Sequence, residues 1–265
     1  MNYYILYNGG KIYYTDAGEG ETVVLLHGYL ESSEIWRGFS KKLAENFRVI
    51  SVDLPGHGNS AVYSDRHSME FMARAVGGLF GSLNIKKAVI AGHSMGGYVT
   101  LAFAGLFPDL LKGYCLFHSH PFADSPETLM KREREILIVR SGKKYLIISE
   151  NIPRMFAASN LSRFGEAVSR SNDIASGIMD EGIIAALKGM MSRPSRVGVM
   201  EEGKIPLLWI LGKLDIHIPY DTIQSRVRLP SNARVVVLEN SGHMGFIEEE
   251  DRSVQILSEF INEVA

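Results

Sequence analysis

A serine hydroxyl becomes a useful nucleophile near neutral pH only when a base takes its proton and a third group orients that base. Gly92-His93-Ser94-Met95-Gly96 follows the apolar run Ala88-Val89-Ile90-Ala91 and precedes a helical stretch of small residues beginning at Gly97. On a sharp strand-to-helix turn the serine is driven toward positive φ, where a Cβ two residues away on either side crowds the chain, and glycine at both flanks relieves it. Such a nucleophile elbow lifts the hydroxyl above the sheet and leaves backbone N–H groups at a helix N-terminus facing any negative charge that develops. The bare five-residue pattern also recurs by chance, so its surroundings must carry the reading. Two further residues do so. Gly212-Lys213-Leu214-Asp215 follows an apolar run ending at Leu211, and Glu239-Asn240-Ser241-Gly242-His243 follows another ending at Leu238. A carboxylate and an imidazole on successive strand-end loops, in the chain order Ser, Asp, His, make Ser94, Asp215 and His243 the expected nucleophile, acid and base. Either of the last two alone reads as a surface loop residue.

Acyl transfer also needs preorganised donors aimed at the tetrahedral oxyanion, each worth about 3 kcal/mol. The Met95 amide, immediately after the serine, is one. The other is expected just past the first buried strand, in His27-Gly28-Tyr29, where we choose the Tyr29 amide because Gly28 lets the backbone approach a bound carbonyl. The Tyr29 side chain and Leu30 are then expected to line the acyl pocket.

The elements that must position these groups are legible as an alternation. Short β-rich runs at Val23 to Leu26, Arg48 to Val52, Ala88 to Ala91, Gly113 to Phe117, Pro206 to Leu211 and Arg234 to Leu238 read as buried strands. Helices are expected between them at about Ser33 to Glu45, Ser68 to Leu83, Met95 to Phe107, closed by Pro108, and Asp251 to Val264. This implies a parallel sheet, with Tyr3 to Tyr7 and Lys11 to Thr15 joined by Asn8-Gly9-Gly10 as an antiparallel pair at one edge. The expected fold is α/β, a mostly parallel sheet of about eight strands with helices on both faces. The rhythm breaks from Pro121 to Glu202, where roughly 80 residues carry helical periodicity without a buried strand. The division is therefore a core of residues 1–120 and 203–265 with a helical cap of residues 121–202 over the catalytic end of the sheet, where ligands gather in open α/β folds. Helices are expected to start near Pro126 behind Ser125, near Ile152 and near Asp173. Lys131-Arg132-Glu133-Arg134-Glu135 reads as a solvated helix face. Phe122, Phe156 and Met179 are the large apolar residues of this segment expected to touch an acyl group.

Composition narrows the rest. The chain has 265 residues, 46% of them hydrophobic, enough for a large core, and a formal net charge of −2 that offers no footprint for a phosphate backbone, so a nucleic-acid partner is not expected. A single cysteine, Cys115, lies in an apolar run and rules out an internal disulfide framework. With no export signature near the start and no run of membrane-spanning length, the expectation is a cytoplasmic protein without a membrane partner.

These motifs resemble the α/β-hydrolase family, in its branch of small bacterial serine esterases with a helical cap. Besides the elbow, the similarity includes Leu26-His27-Gly28-Tyr29, the turn from Asp53 to Ser60, Gly212-Lys213-Leu214-Asp215 and Ser241-Gly242-His243, and it spans nearly the whole chain. The resemblance implies the same triad and the same oxyanion donors, with no metal and no organic cofactor. It makes His57, in the structural turn, a scaffold residue. It also implies a hydrolase that cleaves carboxylic esters of small or medium acyl substrates through an acyl-enzyme intermediate. Lactone, thioester, amide and C–C bond hydrolysis use the same groups, and some relatives are ligand receptors. Serine at position 94 argues against the haloalkane-dehalogenase and epoxide-hydrolase branches, whose nucleophile is a carboxylate.

Other residues are weighed against this assignment. His118-Ser119-His120 has the spacing of a metal pair but lacks suitable carboxylates, so packing is the first reading and His120 on the pocket wall the second. Asp124 ranks second as the acid, His93 is expected to support the elbow, and His217 receives no role. The glycines from Gly92 to Gly97 do not open a phosphate loop, because Tyr98-Val99 stand where Lys and Ser or Thr are required.

Overall fold

The computed structural model describes residues 2–265. Among them an eight-stranded sheet runs in the order β1-β2-β4-β3-β5-β6-β7-β8, formed by β1 (Asn2–Tyr7), β2 (Gly10–Ala17), β3 (Thr22–Leu26), β4 (Arg48–Val52), β5 (Ala88–His93), β6 (Leu111–Phe117), β7 (Leu207–Gly212) and β8 (Ala233–Leu238). β1 pairs with β2, and β2 with β4, antiparallel. Every later pairing is parallel. The central strands β3, β5 and β7 are buried along almost their full length, as strands covered on both faces must be.

The helices of the alternating part are α1 (Arg37–Leu43), α2 (Met69–Ser82), α3 (Met95–Leu106) and, after the sheet is complete, the long terminal helix described below. The helix expected from Ser33 to Glu45 is split into a 3-10 turn, Ser33–Trp36, followed by α1. Under the strand ends Trp36, Phe39, Phe117 and Phe246 form an aromatic cluster, with the Trp36 and Phe246 ring centroids 4.2 Å apart. The Phe246 centroid lies 5.0 Å from that of His93, so this core is the floor on which the elbow rests.

Between β6 and β7 the chain leaves the sheet for α4 (Pro126–Arg140), α5 (Lys144–Met155), α6 (Gly165–Gly177), α7 (Asp180–Met191) and α8 (Val197–Glu201). Ser125 caps α4 as expected, its hydroxyl accepting the Thr128 N–H at 3.2 Å. The expected starts near Ile152 and Asp173 are wrong. α5 begins eight residues before Ile152, after Gly142 at φ +73°, and α6 begins eight residues before Asp173. Neither helix has a side-chain cap at its first turn, so the usual start signal is missing from the sequence. Asn172, a cap-type residue, instead bonds the Val168 carbonyl inside α6.

This helical segment is seated on the sheet domain through α7. A Cβ at Gly182 would strike the Gly56 backbone and one at Gly189 the His67 carbonyl, so two glycines seven residues apart on one helix face permit the approach. The His67 N–H donates to the Ala185 carbonyl at 3.0 Å along the same seam. The remaining elements, α9 (Tyr220–Gln224), α10 (Gly245–Glu248) and α11 (Glu250–Val264), follow β7 and β8. No described helix is long and apolar enough to cross a membrane.

Candidate functional site

Ser94 stands between β5 and α3 at φ +49°, ψ −113°, a strained conformation for a residue with a side chain. A Cβ on Gly92 would strike the Gly96 carbonyl, and one on Gly96 the carbonyls of Leu26 and His27, so the flanking glycines are required by contact and not by composition. The serine backbone is pinned on both sides. Its N–H donates to the Phe117 carbonyl at 3.0 Å, and its carbonyl accepts the Ser119 hydroxyl at 2.8 Å.

β7 and β8 deliver the other two residues to the same end of the sheet. Asp215 Oδ2 lies 2.7 Å from His243 Nδ1, while Oδ1 accepts the backbone N–H groups of His217 and Ile218 at 2.8 and 3.0 Å. Burial alone pushes the Asp215 carboxyl up, but the imidazoles of His243 and His118 outweigh it and hold the group well below the ordinary carboxylate range. Burial likewise opposes a charge on His243, and Asp215 reverses the effect, leaving its pKa raised. With Nδ1 committed to the carboxylate, the lone pair at Nε2 is the basic position. Ser94 and His243 both border one cavity of about 780 Å³, a size suited to a small-molecule ligand.

Of the expected oxyanion donors, Met95 N–H is the first of α3, where no intrahelical acceptor exists. The Tyr29 N–H finds no acceptor among the described residues, whereas its neighbour Gly28 donates to Glu31 Oε2 at 2.5 Å. Leu30 follows at φ +62°, which bends the loop around that carboxylate.

Glu31 gave no signal in the sequence, yet it ties the site together. Its Oε2 also meets His93 Nδ1 at 2.9 Å, and His93 Nε2 faces the His243 carbonyl at 2.9 Å. Burial raises the Glu31 carboxyl, but the His93 contact prevails and the net shift is downward. The oxyanion loop, the elbow and the His243 loop are thus joined through one buried pair. Glu248 is a second unforeseen anchor: it accepts the N–H groups of Gly242 at 2.8 Å and Met244 at 3.2 Å, and of Ala157 at 2.7 Å. A capping-box or charge pattern gives no hint of either carboxylate, because the partners that tie them to other loops, His93 for Glu31 and Ala157 for Glu248, are distant in sequence.

His118, read from the sequence as a packing residue, also stands beside the acid. Fully buried at φ +47°, it accepts the Gly245 N–H at Nε2 (3.1 Å), which fixes its proton on Nδ1, 3.4 Å from Asp215 Oδ2. Its pKa is lowered to about 4 by burial, against the pull of Asp215. The ligand atoms of His118, Asp215 and His243 lie within 4.8 Å of one another, but the fixed tautomer turns a proton, not a lone pair, toward Asp215, which does not suit a metal ligand.

Asp124, the second candidate acid, is held by Arg132 at 2.7 Å and Arg193 at 2.6 Å and makes no contact with His243. His57 is buried against His27, ring centroids 5.0 Å apart, and burial drives its pKa well down. His217 stands at the rim, its ring centroid 5.3 Å from that of His243.

The expected pocket residues divide. Tyr29, Leu30, His120 and Phe122 border the cavity. Phe156 and Met179 do not, and those two expectations are corrected. Phe156 is buried beneath the His243 loop, its backbone against Gly242, and Met155 reaches the cavity in its place. Met179 precedes the first turn of α7 and is 49% exposed on the outer side. Met190, from the same helix, does line the wall.

Residues 21–137 match the family described as alpha/beta hydrolase fold. The structure superposes on a thermophilic esterase from Thermogutta terrifontis, solved with malate bound, with a TM-score of 0.94 and 30% identity over 100% of this chain and 99% of that one. In sequence it is 28% identical to a 2-hydroxy-6-oxononadienedioate/2-hydroxy-6-oxononatrienedioate hydrolase of Pseudomonas putida, over 95% of this chain and 92% of the relative. It is 27% identical to the pimeloyl-[acyl-carrier protein] methyl ester esterase of Methylococcus capsulatus, over 92% and 96%. The chain belongs to the α/β-hydrolase family. Fold and relatives together support a hydrolase.

Proposed function

We propose that this hydrolase cleaves carboxylic esters of small or medium acyl substrates through an acyl-enzyme intermediate. The observation that carries the reading is the arrangement of His243 between Asp215 and a cavity onto which Ser94 also opens from a strained elbow. Ser94 Oγ attacks the ester carbonyl as His243 Nε2 takes its proton, and Asp215 stabilises the imidazolium without accepting that proton. The oxyanion rests on the Tyr29 and Met95 amides, each contributing about 3 kcal/mol. Collapse of the tetrahedral intermediate transfers the proton from His243 to the departing alcohol. Water, deprotonated by the same nitrogen, then attacks the acyl-serine and releases the acid and free Ser94.

In this reading residues 121–202 act as a cap that closes the site from above and excludes water. Glu31, Glu248 and His118 are positioning residues that hold the loops and the acid. An ester substrate is preferred to a lactone, thioester or C–C bond because the structure matched at a TM-score of 0.94, over 99% of its length, is an esterase. A cytoplasmic location accords with a single cysteine, Cys115, that is buried and whose thiol pKa is pushed up by burial. The test is a series of p-nitrophenyl esters from acetate to octanoate. Turnover that vanishes in Ser94→Ala supports the proposal, and absence of turnover together with tight small-molecule binding replaces it with the ligand-receptor reading.

A further inference from the structure

The lining of the cavity is charged in a way that ester hydrolysis alone does not require. Four cations border it, Lys131, Arg132, Arg154 and Arg226, against two carboxylates, Asp124 and Glu135. Asp124 is already consumed by Arg132 and by Arg193, which itself lies outside the cavity. Glu135 accepts the Tyr29 hydroxyl at 3.3 Å and lies 3.9 Å from Lys131, and Arg154 pairs with Glu150 at 3.4 Å, which leaves Arg226 as the lining cation without a carboxylate among the described residues. The three lining histidines add no anion. The lining therefore holds a cation, Arg226, beyond those its neighbouring carboxylates answer, inside a concave site where fields are less screened than at a free surface.

Two donors in this lining are left with capacity to spare. The Arg226 guanidinium lies 3.9 Å over the Phe122 ring and has no carboxylate partner among the described residues. Stacking on the ring leaves the in-plane N–H groups free, the edge that matches a carboxylate bidentately. Phe122 is in turn stacked on His120, ring planes 28° apart, so the platform under Arg226 is fixed. His120 Nδ1 accepts the Phe122 N–H at 3.2 Å, which puts its proton on Nε2, 3.2 Å from the Tyr98 hydroxyl oxygen. The Tyr98 oxygen is thereby occupied as an acceptor, and its own hydrogen is turned to the cavity that the residue lines.

We propose that the cavity holds a subsite for a free carboxylate, formed by Arg226 and Tyr98, and that the natural substrate carries such a carboxylate besides its scissile carbonyl. The substrate class rests on the hydrolase reading above, whereas the subsite itself does not. Its test uses two pairs of esters. p-Nitrophenyl hemiglutarate against p-nitrophenyl valerate places the carboxylate on the acyl side, and 4-acetoxybenzoate against phenyl acetate places it on the alcohol side. In at least one pair the carboxylated ester has a kcat/KM about tenfold or more above its neutral partner, the gain shrinks at high salt, and Arg226→Met lowers that ratio toward one. A ratio at or below one in both pairs, or a ratio that Arg226→Met leaves in place, overturns the proposal. Calorimetric binding of glutarate separates the two readings. Binding that Arg226→Met weakens, in a protein that turns over no ester, keeps the subsite and removes the esterase; ester turnover without preference and without glutarate binding keeps the esterase and removes the subsite.

Discussion

The strand-end loops and the helical segment build opposite walls of one cavity by different physical means. On the sheet side each buried carboxylate is held by several donors: Asp215 accepts from His243, His217 and Ile218, Glu31 from Gly28 and His93, and Glu248 from three backbone amides. On the helical side the cavity meets the ends of long side chains, with Lys131 and Arg154 half exposed. A dense buried hydrogen-bond network holds atoms within a fraction of an ångström, as proton transfer requires. Long side chains with charged tips select a ligand while tolerating several shapes. The difference assigns chemistry to the loops and choice of substrate to the helices.

The comparison breaks first at the serine. Ser94→Ala is expected to lower kcat/KM for p-nitrophenyl butyrate by about 10⁴-fold or more with an unchanged far-ultraviolet circular dichroism spectrum. A smaller loss moves the chemistry away from the strand-end loops. Asp215→Asn follows with a loss of about 10⁴-fold, because the amide imposes the wrong tautomer on His243 while keeping the shape of the site. If kcat is barely changed, the acid has been assigned to the wrong strand.

Glu31→Gln sharpens the picture at intermediate size. It weakens the link between the Gly28 amide and His93 without emptying space, and a loss of about 10- to 100-fold in kcat with KM little changed is expected for a disturbed oxyanion loop. The pH profile gives an independent reading. The base must be neutral, and its pKa is raised above 6.5, burial pulling it down and Asp215 more than restoring it. kcat/KM is therefore expected to fall as pH drops through a value above 6.5. Glu31 is among the charges that raise the His243 pKa, so Glu31→Gln shifts this acid limb to lower pH, which a purely structural disturbance does not do.

Substitutions on the helical side should act on KM and on the order of preferred acyl chains. Phe122→Ala is expected to change kcat/KM by less than about tenfold while reordering the p-nitrophenyl ester series, since it removes both an apolar contact and the support of Arg226. Met179→Ala, on the outer face, is expected to leave that order as it is. A large kcat loss from Phe122→Ala would place chemistry on both walls.

Local patterns reached far into this molecule because the elbow, the strand runs and the Asn8-Gly9-Gly10 hairpin each depend on neighbours in the chain. The order of Ser94, Asp215 and His243 was legible because a parallel sheet brings successive strand ends to one edge, and the hairpin and all six later strands lie within a few residues of their expected places. The helical segment was less legible: α5 and α6 start without side-chain caps, and Gly182 and Gly189 look like weak helix positions until the backbone they approach is known.

The sequence by itself determined which groups were available and at which strand ends they stand, since hydrophobic period and turn chemistry act over a few residues. Tertiary structure alone decided that Glu31, His118 and Glu248 hold those groups, that Asp124 is spent on two arginines, and that Met155 rather than Phe156 meets the cavity. Buried hydrogen bonds between residues tens to more than a hundred positions apart, such as His93 to the His243 carbonyl, leave no periodic trace in a chain, because their partners are chosen by packing and not by spacing.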